Sequence, residues 1–111
     1  MDPTRPLAVT VRIDSPQVVA YRLWFRRPDE SDWTAFATGD DQSPNPSTYA
    51  VVPLPRGSVL RFFALISGNP QTAYRIEVVV AQGGAPVKPP LLLTGTTDGD
   101  GTASAGGEVE P

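Results

Sequence analysis

The sequence predicts an all-β protein, a two-layer antiparallel β-sandwich of about six to seven strands followed by a flexible acidic C-terminal tail. Short segments of alternating apolar and polar residues recur along the chain, separated by turn residues. Proline (13 residues) and glycine (10 residues) are abundant, which favours short elements joined by many turns. No useful length of sequence shows the 3.6-residue apolar period of an amphipathic helix.

The first two strand patterns each place four apolar residues on one face. In LAVTVRI (7–13) these are Leu7, Val9, Val11 and Ile13. In VVAYRLWFRR (18–27) they are Val19, Tyr21, Leu23 and Phe25. Pleating sends the alternate residues of the second strand to the opposite face, and these are Arg22, Trp24 and Arg26. The turn RPDESD then leads into WTAFAT (33–38), so we predict a hairpin here.

Three further strand patterns follow the polar loop GDDQSPNPS (39–47). They are TYAVV (48–52), SVLRFFALI (58–66) and TAYRIEVVVA (72–81). In the second of these, alternation predicts an inward face of Leu60, Phe62, Ala64 and Ile66 and an outward face of Arg61, Phe63 and Leu65.

We expect a single domain, because 111 residues leave little room for a second core. The sandwich is predicted to span residues 1–81, and QGGAPVKPP (82–90) is predicted to be a Pro/Gly linker. LLLTGTT (91–97) is a possible extra or exchanged strand. Residues 98–111 are predicted to be disordered, because Val109 is their only large apolar residue. This tail carries a net charge of −4, against +1 for residues 1–97.

The run YRLWFRRPDESDWTAF (21–36) followed by STYAVVPLPRGSVLRFFALISGN (47–69) resembles the middle of a fibronectin type III domain. The matching residues are Tyr21, Leu23, Phe25, Trp33, Tyr49, Val51, Leu54, Pro55, Gly57, Leu60, Phe62 and Ala64. A related immunoglobulin-like sandwich or a small jelly-roll piece stays open. The resemblance implies that strand 58–66 is the sheet neighbour of strand 18–27.

The family's first strand has no obvious counterpart before Leu7, because MDPTRP is short and rich in proline. A sandwich lacking an edge strand exposes unpaired N–H and C=O groups that invite another strand. We hypothesise that LLLTGTT (91–97) fills that place, either in its own chain or in a neighbouring copy.

Catalytic chemistry has few candidate residues, and we expect no enzyme activity and no cofactor. The chain has no histidine and no cysteine, which removes the usual general base, thiolate nucleophile and thiolate zinc ligands. Asp98-Gly99-Asp100-Gly101 matches the start of a calcium loop, but the later ligands of that motif are absent. We therefore predict no metal site.

The candidate binding residues lie on the outward side of two predicted sheet neighbours. They are Trp24, Phe63, Leu65, Arg22, Arg26 and Arg61. Aromatic residues and arginine are enriched at interface hot spots, so we predict a non-catalytic protein-interaction or assembly module. The alternative is that the arginine stems simply cover the two rings and stabilise the sheet.

A carbohydrate-binding module is the second functional alternative, since exposed aromatic rings also suit sugars. Asp32, Asp40, Asp41, Gln42 and Asn45 could supply the polar groups that such a site needs. Nucleic acid is not expected as a partner, because residues 1–97 lack a basic stripe. We also expect no membrane insertion, because neither a signal peptide nor a membrane-spanning segment is evident in this chain.

Overall fold

The computed structural model describes residues 1–15 and 17–111, and within them every regular element is a β-strand. The nine strands are β1 (Leu7–Asp14), β2 (Val18–Arg26), β3 (Thr34–Asp40), β4 (Ser47–Val51), β5 (Val59–Ser67), β6 (Ala73–Gln82), β7 (Ala85–Pro86), β8 (Leu91–Thr96) and β9 (Thr102–Val109). Among these residues no helix is long and apolar enough to cross a membrane.

The strands form two antiparallel sheets, which confirms the predicted two-layer sandwich. Sheet I has the order β4-β1-β6, and both β7 and β8 pair with the free side of β6. Sheet II has the order β3-β2-β5-β9. The chain changes sheet after β1, β3, β4, β5 and β8, so the late strands complete both layers.

The core lies between the two sheets and is built by the predicted alternation. All four inward residues of β2 and all four of β5 are buried, at 6% exposure or less. β2 and β5 pair over nine consecutive residues, from Val18 opposite Ser67 to Arg26 opposite Val59. This long central ladder fixes which side chains of sheet II face outward.

Two tyrosines lie over glycines of the neighbouring edge strands. Tyr21 is paired with Gly39, and a Cβ at position 39 would overlap the tyrosine ring. Its hydroxyl reaches across the sandwich to the hydroxyl of Tyr49 in sheet I. Burial and this hydrogen bond raise the pKa of Tyr21 well above its ordinary value, so the Tyr21 hydroxyl keeps its proton. Tyr74 covers Gly95 of β8 in the same way.

The structure corrects the prediction of a free linker over residues 82–90. β6 continues to Gln82, the chain turns at Gly83 and Gly84, and β7 pairs back onto β6. Both turn glycines have positive φ angles, of 60° and 83°, which glycine adopts without steric cost. The following segment 91–96 forms β8 beside β6 of its own chain, the intramolecular one of the two predicted arrangements.

The prediction that residues 98–111 are disordered is wrong, and the sandwich therefore does not end at residue 81. Thr102–Val109 forms β9, which pairs with β5 over eight residues. Three of its inward residues, Ala103, Ala105 and Gly107, are small, and Leu91 of β8 occupies the space beneath Gly107. Such a strand buries little apolar surface of its own, and this explains why its composition indicates disorder.

The turn before β9 is locked to the turn before β6. The buried Thr97 hydroxyl donates to the carbonyl of Asn69 (2.7 Å) and accepts from the N–H of Thr72 (2.9 Å). The N–H of Gly68 donates to the carbonyl of Gly101 (2.8 Å). Gly101 has a φ of 77°, and a Cβ there would overlap the Gly68 carbonyl oxygen.

We predict that Gly101→Ala lowers the free energy of unfolding by at least ~1 kcal/mol, because the new methyl group meets backbone and the φ angle is strained. Urea unfolding measures the change. Gly99→Ala is the matched control, since no atom lies within 4 Å of a Cβ at that position, and it should change stability by less than ~0.5 kcal/mol. Equal effects of the two substitutions would contradict the proposed lock between the turns.

Candidate functional site

The outer face of sheet II holds all six predicted site residues. Arg22, Trp24 and Arg26 come from β2, and Arg61, Phe63 and Leu65 come from β5. In the pairing of β2 with β5, Trp24 lies opposite Arg61, Arg22 lies opposite Phe63, and Ala20 lies opposite Leu65. Trp24 and Phe63 are therefore diagonal neighbours with an arginine opposite each ring.

Guanidinium groups and indole rings alternate at one end of this face, and we call this set the cation–π ladder. Its members are Arg22, Trp24, Arg61, Trp33 and Arg26. Successive guanidinium-to-ring distances along it are 5.9, 5.7, 5.5 and 4.5 Å. Each contact at an exposed site is worth about 0.5–1 kcal/mol. The ladder therefore ties β2, β5 and the start of β3 together from outside.

Trp33 is the member of the ladder that sequence reasoning missed. Strict alternation along β3 would turn Trp33 inward with Ala37 and Gly39. A β-bulge opposite Leu23 and Trp24 shifts the register by one residue, so Phe36 packs against the core beside Phe25. Beyond the bulge the alternation is reversed, and Trp33 lies outside against Arg26.

A groove of about 550 Å³ opens at the other end of the face. Its aromatic and aliphatic walls are Trp24, Phe63 and Leu65, and small residues such as Ala20 and Gly39 form its floor. Arg22, Thr38, Asp40 and Ser43 add polar groups along the rim. Phe63 is 36% exposed and Leu65 is 59% exposed, so the apolar part of the groove is open to solvent.

Most polar residues predicted to surround the rings are engaged elsewhere. Asp40 lines the groove, but its Oδ1 accepts from the backbone N–H groups of Gln42 (2.8 Å) and Ser43 (3.1 Å). Asn45 is held away from the face by two hydrogen bonds to the backbone of Ile13. Asp41 accepts from Gln42, and this bond holds the pKa of Asp41 below its usual range.

The Asp98–Gly101 turn uses its acidic group to hold backbone. Asp98 Oδ1 accepts from the N–H groups of Asp100 (2.9 Å) and Thr102 (3.0 Å), and Oδ2 accepts from the Thr102 hydroxyl (3.0 Å). The bonds from Thr102 hold the pKa of Asp98 below its usual range. Within residues 1–15 and 17–111 no group of three or more acidic side chains is placed to hold a metal ion.

The chain has the fold of two solved structures. It is similar to a DUF4425 family protein from Bacteroides ovatus, with 9% sequence identity and a TM-score of 0.62 over 96% of this chain and 94% of that one. A DUF4425 domain of unknown function from Bacteroides vulgatus gives 11% identity and a TM-score of 0.62 over 98% and 96% of the two chains. These likenesses concern the fold alone. No family model and no curated protein matches the sequence, and the resemblance to fibronectin type III domains stays a prediction.

We predict that Arg61→Met lowers the free energy of unfolding by about 1–2 kcal/mol, because Arg61 contacts two rings of the cation–π ladder and methionine keeps only the apolar stem. Urea unfolding followed by tryptophan fluorescence measures it. Arg56→Met, at an exposed arginine outside the ladder, should change stability by less than ~0.5 kcal/mol. A loss of the same size in both variants would contradict a role for the rings.

We predict that the stabilising effect of Asp98 is lost in acid. Since its folded pKa is lowered, this contribution is present above the ordinary carboxyl pKa of about 4 and disappears as the pH falls through the folded value. The difference in Tm between the native chain and Asp98→Ala should therefore be constant at neutral pH and shrink below about pH 4. A Tm difference that stays constant down to pH 2 would contradict the hydrogen-bonded carboxylate.

Proposed function

We propose that the protein is a non-catalytic interaction module and that the outer face of sheet II docks an acidic protein partner. The observation that carries the proposal is an open apolar groove that shares Arg22 and Trp24 with the cation–π ladder. Phe63, Leu65 and the edge of Trp24 supply the apolar surface. Large exposed apolar side chains next to arginine and tryptophan are the composition of interface hot spots.

The arginines of this face give the partner its expected charge. The described part of the chain has two ion pairs within 4 Å, Arg27–Glu30 and Arg75–Glu77. Neither of them involves an arginine of the cation–π ladder. A guanidinium stacked on a ring keeps its N–H groups directed sideways, where a carboxylate can accept two of them. The stacking thus holds the donors in place before the partner arrives, which lowers the entropy cost of binding.

Protein is favoured over carbohydrate by what surrounds the indole rings. A sugar ring stacks on the open face of an aromatic side chain, but guanidinium groups lie 4.5–5.9 Å from the ring centroids of Trp24 and Trp33. Of the five polar residues proposed for sugar contacts, only Asp40 lines the groove. Carbohydrate binding is therefore the competing outcome of the experiment below.

A random peptide display library tests the proposal. Peptides are selected on the native protein and counter-selected on the Trp24→Ser/Phe63→Ser variant. The proposal expects enriched peptides that combine Asp or Glu with a large apolar residue and that bind more weakly as salt rises. Enrichment of basic peptides, or no enrichment above the counter-selected background, would overturn it. A glycan array run in parallel detects the carbohydrate alternative.

We predict that the Trp24→Ser/Phe63→Ser variant keeps the native fold but no longer binds the selected peptides. Its free energy of unfolding should fall by about 1–3 kcal/mol, because the cation–π contacts of Trp24 and the partial burial of both rings are lost. Circular dichroism and fluorescence anisotropy measure the two properties. Leu92→Ser is the matched control, because Leu92 is 50% exposed and belongs to sheet I, and it should leave peptide binding unchanged. An unfolded double variant would show that the two rings belong to the core.

A further inference from the structure

Within residues 1–15 and 17–111, β9 pairs with β5 on one side, and its other side is a free edge of sheet II. Thr102 at its start points both its N–H and its C=O away from β5, because they bond to Asp98 in the preceding turn. Backbone groups alternate in direction along an antiparallel strand. Ser104, Gly106 and Glu108 therefore also point their N–H and C=O groups outward, whereas Ala103, Ala105 and Gly107 bond to β5.

The other three sheet edges carry features that discourage strand addition. β3 contains the bulge and ends at Asp40, and β4 is only five residues long and lies between Pro46 and Pro53. β8 directly follows Pro89 and Pro90. Bulges, short length, prolines and charges are the usual protections of edge strands. β9 has eight residues, no proline and, as its one charge, Glu108 near its end.

We propose that β9 pairs with β9 of a second copy of this chain, so that two copies of sheet II form one eight-stranded sheet. The free edge after Thr102 runs from residue 103 to residue 109, and its midpoint is Gly106. An antiparallel pair centred there places Gly106 opposite Gly106 and Ser104 opposite Glu108 of the second copy. About six backbone hydrogen bonds form, all from groups that point outward.

The side chains of β9 suit a second copy as the occupant. At the centre of the pairing, glycine lies opposite glycine. Glu108 of each copy lies opposite Ser104 of the other copy, so no like charges oppose each other. A twofold axis through Gly106 closes the assembly as a dimer, because the same strand is used on both sides. The eight-stranded sheet of the dimer then ends on both sides in the bulged strand β3.

The dimer would also extend the docking face. Phe63 lies against Gly106 on the outer side of sheet II. With β5, β9 and the two partner strands side by side, the two Phe63 rings stand about 14 Å apart, at three strand spacings of ~4.8 Å. Only small side chains lie between them. A partner with two acidic-apolar segments could therefore bind both copies at once.

Light scattering of the native chain, over a range of concentrations, tests this pairing. The expected result is a mass that approaches twice 11.8 kDa at high concentration. Ser104→Pro removes an outward N–H from each copy while leaving the ladder to β5 intact, because Ser104 does not donate to β5. The dimer dissociation constant should rise by about tenfold or more.

Ser104→Thr is the control, since it keeps the N–H, and it should dimerise like the native chain. Trp24→Ser/Phe63→Ser should also remain dimeric, which separates this proposal from the docking function. A native chain that stays monomeric at every concentration would overturn the proposal. So would a Ser104→Pro variant with a native circular dichroism spectrum and an unchanged dissociation constant.

Discussion

The nine-residue antiparallel pairing of β2 with β5 is the constraint on which the rest of the molecule depends. Both strands lie in the middle of sheet II, and their inward residues make up nearly half of the buried apolar core. A slip of β2 by one residue would bring Arg22 into the sandwich and expose Leu23, and a slip of β5 would do the same with Arg61 and Phe62. The outer face is therefore as firmly specified as the core, and its rings and guanidinium groups keep a fixed order.

One face of sheet II thus combines two properties in neighbouring regions. At the hairpin end, the cation–π ladder covers Trp24 and Trp33 and stabilises the sheet from outside. Toward the β3–β4 loop the arginines give way to small residues, Ala20 and Gly39, and the surface sinks into the groove. Gly39 lines this groove with its backbone, and the ring of Tyr21 on the inner side of the sheet occupies the space of a Cβ at that position. The core therefore requires glycine at one of the positions that line the candidate site.

The sequence predicts much of the sandwich because alternation is a local property. Every second residue from Val19 to Phe25 and from Leu60 to Ile66 is apolar, so both the core and the outward residues of the candidate site could be predicted. Trp33 could not be placed, because a bulge changes the face of every residue beyond it and leaves no compositional mark. β9 was missed because Ala103 and Ala105 are small, and the group that fills the space under Gly107 is Leu91, from the other layer. Which residues lie opposite each other also depends on which strands pair. The position of Trp24 opposite Arg61 was therefore known only from the structure.

The most direct measurement is NMR with a soluble paramagnetic probe, which broadens protons according to their distance from solvent. Along β2 and β5 we expect alternation: strong broadening for the indole of Trp24, the ring of Phe63 and the methyl groups of Leu65, and protection for Leu23 and Phe62. Nuclear Overhauser contacts should also join the Trp24 indole to the Arg61 side chain. Protection of Trp24 together with broadening of Leu23 would reverse the two faces and contradict the account.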